Sequence, residues 1–206
     1  MQITLHVGPT NSGKTHTALQ RLASASSGVY CGPLRLLAHE VYERMNALGC
    51  PTSLITGQQQ LMEADARHIS CTIEMLDTAN AVDVAIIDEV QMLADDERGW
   101  AWTRALLGVP AREVHLCGNE SANALIERLC QTTGDELSII RYERLSPLRC
   151  QSTVVSSLRD LTKGDCVVAF SRRKIYDLKQ AIERNTKHKC CIMYAHLSCA
   201  HLSCQR

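Results

Sequence analysis

Two short stretches carry residues whose types and spacing could do chemistry. The first is Gly8-Pro9-Thr10-Asn11-Ser12-Gly13-Lys14-Thr15, which meets the Gly-x-x-x-x-Gly-Lys-Thr pattern of a phosphate-binding loop. Its glycines let backbone N–H groups curl around phosphate oxygens, and a helix starting near Lys14 adds the favourable end of its dipole. Lys14 is the cation that reaches the β- and γ-phosphates of ATP, and the Thr15 hydroxyl is a ligand for Mg²⁺. The second is Asp88-Glu89-Val90-Gln91, directly after the apolar run Val84-Ala85-Ile86-Ile87. A carboxylate at the end of a buried strand is costly unless a metal or a donor faces it. Asp88 therefore suits a hold on Mg²⁺, and Glu89 suits the task of orienting or deprotonating an attacking water. Gln91 completes the candidate catalytic set of Lys14, Asp88, Glu89 and Gln91, with residues 8–15 as the nucleotide cradle.

Such loops must sit at the ends of strands. Residues 2–7 form a β-prone run before the phosphate loop, and a helical stretch from 14 to about 25 follows it. A second strand over 28–31 ends at Gly32-Pro33. Leu37, Val41, Met45 and Leu48 then recur at helical spacing over 34–48, with Gly49 as the stop. Residues 82–87 and 114–117 read as strands buried on both faces. Ser121 is placed to cap a helix running to about 131, and 138–142 adds another strand. Strands alternating with helices predict an α/β fold with a mainly parallel sheet flanked by helices.

The stretch 144–152, with its proline and polar residues, reads as a linker. After it a strand over 166–170 and a helix over 173–183 restart the β-then-α pattern, in too few residues to close a second domain. The expected organisation is a lobe over 1–143, a linker over 144–152, a partial second lobe over 153–194 and an atypical tail over 195–206. In that tail Ala-His-Leu-Ser-Cys occurs twice. His196, Cys199, His201 and Cys204 could be offered as metal ligands, but their spacing departs from paired-ligand patterns, and a tandem slip or alternative end accounts for them better.

Lys plus Arg and Asp plus Glu both total 22, so no net field draws the chain towards a polyanion. Any nucleic-acid contact must come from locally placed donors. Eleven cysteines without a Cys-x-x-Cys pair fit neither a disulfide framework nor a zinc finger, and reduced thiols in an intracellular protein are expected. No apolar run approaches the roughly 20 residues of a membrane span, so a soluble protein with no membrane contact is expected. Met1 stands close before the first motif, and no transit peptide is visible.

Several further motifs follow in an order that resembles one family. Beside the phosphate loop and Asp88-Glu89-Val90-Gln91-Met92 stand Gly32-Pro33-Leu34-Arg35-Leu36-Leu37-Ala38, Thr56-Gly57, Cys71-Thr72-Ile73-Glu74-Met75 and Leu116-Cys117-Gly118-Asn119-Glu120. Tyr142-Glu143-Arg144-Leu145-Ser146-Pro147-Leu148 and the run from Val167 to Tyr176 complete the series. Over about residues 1–194 the chain resembles the mitochondrial degradosome RNA helicases, the suppressor-of-var type of helicase superfamily two (DExH/D-box). That resemblance implies a RecA-like ATP-binding lobe plus an incomplete second one, ATP and Mg²⁺ as cofactors, and RNA as partner. It also implies RNA unwinding in RNA turnover, an exoribonuclease partner and a location in the mitochondrial matrix. It places Arg35, Thr56 and Thr72 on the RNA side, where each residue type is also an ordinary helix-start or turn residue. Trp100 and Trp102 could stack on bases, although packing explains such a pair more simply.

The family's second lobe supplies arginines through Gln-x-x-Gly-Arg-x-Gly-Arg, which this sequence lacks. Arginine fingers contribute roughly 10³ to 10⁵ in rate to related hydrolases, so ATP binding is expected before fast hydrolysis, and hydrolysis before unwinding. Nor does sequence precede the loop that could read adenine. Two alternatives stand beside this. A nucleoside kinase of the thymidine-kinase type shares both motifs, with Glu89 deprotonating a sugar hydroxyl, but usually carries a zinc-bound cysteine lasso. A non-catalytic ATP-binding fragment shares the resemblance and turns nothing over.

Overall fold

The computed structural model describes residues 1–193, so the repeated His and Cys residues of the tail lie outside the described residues. Contacts divide the chain into Met1–Pro147 and a second unit from Leu148 onward. The first unit contains β1 (Gln2–Val7), α1 (Lys14–Ala23), β2 (Gly28–Gly32), α2 (Arg35–Ala47), β3 (Thr52–Ile55), β4 (Gln60–Leu61), β5 (His68–Thr72) and β6 (Val82–Ile87). It continues with α3 (Gly99–Gly108), β7 (Ala111–Gly118), α4 (Asn123–Thr133) and β8 (Glu136–Arg141). The strands form one sheet in the order β4-β3-β5-β2-β6-β7-β1-β8. Every neighbouring pair is parallel except β3 with β4.

Alternation along the central strands sends side chains to two cores. Val84 and Ile86 of β6 join Tyr30 of β2 and Cys117 of β7 under α1 and α2, which contribute Ala18, Leu19, Leu22, Val41 and Met45. Ala85 and Ile87 point the other way, into a core with Val29, Leu5, Leu116, Trp102, Leu106 and Ile126. A sheet covered on both faces is what near-continuous apolar strands require.

β3 and β5 escape a hydrophobic reading because their buried positions are partly polar: Thr52, Ser53, Ser70 and Thr72 are all buried. These groups find local partners. The Ser70 hydroxyl donates to the Ala38 carbonyl of α2 at 2.6 Å, and Asn46 exchanges hydrogen bonds with the backbone of Thr52. α2 stops as expected, with Gly49 in the left-handed region at φ 76°. α4 does not start as expected. A 3-10 turn over Glu120–Ala122 precedes it, capped by Asn119, whose Oδ1 accepts from the Ser121 N–H at 3.0 Å, and α4 itself starts at Asn123 behind Ala122 with no side-chain cap.

In the second unit the strand expected over 166–170 is absent. Its described residues hold a 3-10 turn (Leu158–Asp160) and α5 (Arg172–Asn185) as regular elements. An apolar run becomes a strand only where a neighbouring strand takes its N–H and C=O groups, and none stands beside 166–170 among the described residues of this unit. Phe170 is 102% exposed. α5 itself begins as the sequence suggests, with the Ser171 hydroxyl accepting from the Lys174 N–H.

Candidate functional site

The phosphate loop leaves the carboxyl end of β1, and Asp88 leaves the carboxyl end of β6, two strands away in the sheet. The carboxyl edge of a parallel sheet is where such folds place ligands. Asn11 and Gly13 take left-handed conformations, with φ of 60° and 84°, and successive turns of this kind make a concave nest of N–H groups. Gly8 has no room for a side chain: an added Cβ would stand 2.7 Å from the Tyr142 carbonyl oxygen and 3.0 Å from Ser12 Oγ. The Lys14 ammonium donates to the Pro9 carbonyl at 3.2 Å, bent back over its own loop.

The loop is braced from outside by the chain that follows β8. Arg144 donates to the Thr10 carbonyl at 2.9 Å, the Asn11 amide donates to Ser146 Oγ at 2.8 Å, and the Leu145 N–H donates to the Asn11 carbonyl at 2.9 Å. These contacts join residues more than 130 positions apart. The segment expected to be a linker therefore begins inside the first unit's hydrogen-bond network.

Asp88 is 5% exposed, and each of its polar groups has a partner. Its N–H donates to the Cys31 carbonyl at 3.0 Å, and its own carbonyl accepts from the Trp102 indole N–H at 2.9 Å. Oδ2 accepts from the Tyr30 hydroxyl at 3.0 Å, while Oδ1 accepts from the Glu89 N–H at 2.9 Å and the Thr15 hydroxyl at 3.4 Å. Burial raises the carboxyl pKa above its ordinary value, and the Tyr30 hydroxyl and the Glu89 N–H oppose that rise. Burial also pushes the Tyr30 phenol and the neighbouring Cys117 thiol well up, which keeps both neutral.

Glu89 takes a left-handed conformation, φ 52° and ψ 48°, although it is not glycine. Such a conformation costs on the order of 1 kcal/mol and persists only where its surroundings impose it. Gln91 donates to the Glu89 carboxylate and accepts from the Asn119 N–H at 3.3 Å. The structure thus brings Lys14, Thr15, Asp88 and Glu89 to one cleft of about 290 Å³ and sets Gln91 behind Glu89 as a bridge to the end of β7.

Two observations test whether these residues suit a phosphate and a hard cation. Ser12 Oγ is buried in the loop without a hydrogen-bond partner, which is unusual for a buried hydroxyl unless a ligand supplies one. Asp88 and Thr15 offer two oxygen donors side by side. Mg²⁺ typically takes one or two carboxylates and completes its shell with water and phosphate. No cluster of three or more His, Cys, Asp or Glu side chains suited to a metal occurs among the described residues, and this type of site needs none. The residues fit.

Sequence reasoning missed Tyr30, the hydrogen bond from Trp102 to Asp88 and a chain of buried polar groups beneath the loop, although packing is the simpler expectation for Trp102 and it is buried. His6 of β1 has Nδ1 2.8 Å from the Tyr142 hydroxyl and Nε2 2.9 Å from His115 Nδ1. His115 in turn faces Glu113 at 3.6 Å, and Arg21 of α1 pairs with both oxygens of that carboxylate. One arrangement satisfies both ring nitrogens of His6: Tyr142 donates to Nδ1 and Nε2–H donates to His115 Nδ1, which turns the His115 Nε2–H towards the Glu113 carboxylate. The available signal was a polar residue inside an apolar strand, at His6, Tyr30 and His115. The tryptophan pair divides. Trp102 is fully buried against Asp88, while Trp100 is 57% exposed beside the Arg104 guanidinium. Of the residues implied on the RNA side, Arg35 opens α2 and donates to Gln58, and Thr72 ends β5. The Thr56 hydroxyl closes a turn on the backbone of Gln59.

A family model for the DEXQ-box helicase domain of Suv3 matches residues 1–142. The chain belongs to that family. Its Asp88-Glu89-Val90-Gln91 is the box in question, and membership sets aside the nucleoside kinase. Among curated relatives, the chain is 52% identical over 197 residues to the mitochondrial ATP-dependent RNA helicase SUV3L of Oryza sativa subsp. japonica, covering 95% of this chain and 27% of the relative. It is 52% identical to mitochondrial ATP-dependent RNA helicase SUPV3L1 of Mus musculus, covering 88% of this chain and 24% of the relative. The chain thus spans about a quarter of the length of these relatives. Two solved structures share the fold. A DEAD box protein from Methanococcus jannaschii aligns over 68% of this chain and 45% of its own, at 17% identity and a TM-score of 0.53. The Hef helicase domain of Pyrococcus furiosus aligns over 71% of this chain and 36% of its own, at 18% identity and a TM-score of 0.50. The first unit is accordingly a RecA-like helicase lobe.

Proposed function

We propose that this chain is the nucleotide-binding lobe of an ATP-dependent RNA helicase, binding ATP with Mg²⁺ at residues 8–15 and 88–91. The observation that carries the reading is the meeting of Thr15 Oγ1 and Asp88 Oδ1, 3.4 Å apart, beside a loop with an unpartnered buried hydroxyl. Gly8, Pro9, Thr10, Asn11, Ser12 and Gly13 shape the phosphate nest, with Lys14 as its cation. Thr15 and Asp88 hold the metal, which when bound offsets negative charge on the phosphates. Glu89 orients the water or accepts its proton, and Gln91 steadies the Glu89 carboxylate. Names of relatives support RNA as the partner and a mitochondrial location, with the matrix following from the family. In the same proposal residues 1–143 form the lobe, 144–152 a connector and 153–194 the beginning of a second lobe, and an exoribonuclease is the protein partner. No helix among the described residues is long and apolar enough to cross a membrane.

Titration with a fluorescent ATP analogue tests the site. Lys14→Ala removes a charge-assisted contact worth about 1.5–3 kcal/mol, so affinity should fall by about 10- to 100-fold. Glu89→Gln should leave affinity nearly unchanged and suppress phosphate release with or without RNA. Equal affinity for the unmodified chain and Lys14→Ala would overturn the assignment.

A further inference from the structure

Tyr30 sits in the middle of β2, on the face covered by α1 and α2, and is 1% exposed. Its packing neighbours there are Ala18, Leu19, Leu22, Val41, Met45 and Ile86. Among such residues phenylalanine would fill the space without a polar atom to satisfy, because burying a hydroxyl is unfavourable unless it finds a partner. The Tyr30 hydroxyl has one partner, Asp88 Oδ2, at 3.0 Å. Gly32, two residues on, leaves space for the ring tip: a Cβ at that position would stand 2.9 Å from Tyr30 Cε1 and 3.1 Å from the hydroxyl oxygen. The hydroxyl is therefore enclosed and fixed, and it reaches the one carboxylate oxygen that Thr15 and the Glu89 N–H do not use.

We propose that Tyr30 is a positioning residue for the divalent metal: by holding Oδ2 it sets the rotation of the Asp88 carboxylate, so that Oδ1 stays beside the Thr15 hydroxyl. The proposal rests on the reading of Thr15 and Asp88 as metal ligands. Rotation about the terminal torsion of an aspartate is broad and weakly restrained by itself. A buried donor on one oxygen supplies the restraint, as hydrogen-bonded outer groups do for ligating carboxylates elsewhere. Without it, Oδ1 and Oδ2 can exchange places, and metal binding must first order the group.

The test uses the full 206-residue chain and Tyr30→Phe, which keeps the ring and removes only the oxygen. A fluorescent ATP analogue is titrated in EDTA, and the Mg²⁺ concentration that half-saturates the metal-dependent part of the signal is then measured. Tyr30→Phe should raise that concentration about tenfold, the loss expected for one hydrogen bond to a charged group. Affinity in EDTA should stay within about twofold. Gly32→Ala, which displaces the ring tip while keeping the hydroxyl, should shift the Mg²⁺ requirement in the same direction. In an Asp88→Asn background Tyr30→Phe should add nothing. An unchanged Mg²⁺ requirement in both variants overturns the proposal. So does an equal loss of affinity in EDTA and in Mg²⁺, which would mean that the hydroxyl serves only the fold. If Asp88→Asn itself leaves the Mg²⁺ requirement of the parent chain unaltered, the metal-ligand reading fails first and this inference falls with it.

Discussion

Lowering the pH from 7 to 4 should cost the first unit about 3 kcal/mol through His6 alone. This imidazole is 2% exposed, inside β1 and directly under the phosphate loop. Burial, and to a lesser extent its neighbour His115, push its pKa down from 6.5 to about 4. An unfolded imidazole takes its proton near 6.5, so between that value and about 4 the unfolded chain binds more protons than the folded one. Stability therefore falls as the pH falls through this window and is flat above it. At about 1.4 kcal/mol per pH unit the gap amounts to about 3 kcal/mol, a large share of the roughly 5–15 kcal/mol that holds a typical domain together. His115, also held low by burial, adds in the same direction. Glu113 and Asp135, whose carboxyls are held below their ordinary range by Arg21 and by the chain's amino terminus, lose their contributions at lower pH still.

The perturbation that isolates His6 is His6→Gln, whose amide can still donate to His115 but does not titrate. Urea unfolding followed by far-ultraviolet circular dichroism, at half-unit steps from pH 8 to 4, gives the free energy at each pH. The parent chain should lose stability steeply between 6.5 and 4.5. The variant should start lower, by about 1–2 kcal/mol for the altered buried network, and fall along a shallower line. Parallel lines for the two proteins, or an NMR titration placing the His6 imidazole near 6.5, would refute the reasoning.

Two further substitutions test the scaffold. Gly8→Ala puts a Cβ 2.7 Å from the Tyr142 carbonyl and 2.9 Å from Tyr142 Cβ, neither of which can swing away; it should cost about 1–3 kcal/mol by overpacking and weaken nucleotide binding, read by thermal melting and by ATP-analogue titration. Trp102→Phe leaves the buried Asp88 carbonyl without its 2.9 Å donor and opens a gap in the core, so denaturant unfolding should show a loss of about 2–4 kcal/mol. Its fluorescence should also shift to longer wavelength, because only the exposed Trp100 then emits.

The loop and acid motifs were legible because each is contiguous and its neighbours announce the element that carries it. β1, β2, β6 and the two helices behind the loop declare themselves by apolar runs and spacing. β3 and β5 do not, because Thr52, Ser53 and Ser70 satisfy their polar groups with neighbours that a linear pattern cannot name. The run over 166–170 misleads for the opposite reason: it has the composition of a strand, but strand formation also needs a partner strand. The helix cap shows the same limit on a smaller scale. Asn119 and Ser121 are both good capping residues, and only the backbone geometry decides which carboxamide or hydroxyl faces a free N–H. Lys14, Thr15, Asp88 and Glu89 were found by type. The hydrogen bonds from Tyr30 and Trp102 to Asp88 were not, since the order of the strands sets who meets whom.

That order explains how a carboxylate can stand at a nearly dry position and still be kept in one place. β2 lies next to β6, so its backbone takes the Asp88 N–H through Cys31 and its tyrosine takes Oδ2 from the α1–α2 side. α3 packs on the opposite face and takes the Asp88 carbonyl through Trp102. β1 lies beyond β7 and sends only its loop and the start of α1, so Thr15 meets Oδ1. Three elements, β2, α3 and α1, fix one residue through four contacts. The backbone immediately after it is the strained one, at Glu89, and strain of that kind survives only beside an over-determined neighbour. The division matches the chemistry assigned to the pair. A metal ligand gains from being immobile before the metal arrives, because no ordering cost is left for binding to meet. A residue that must orient or deprotonate water gains from leaving the sheet plane abruptly, and the left-handed turn at Glu89, steadied by Gln91, gives it that direction.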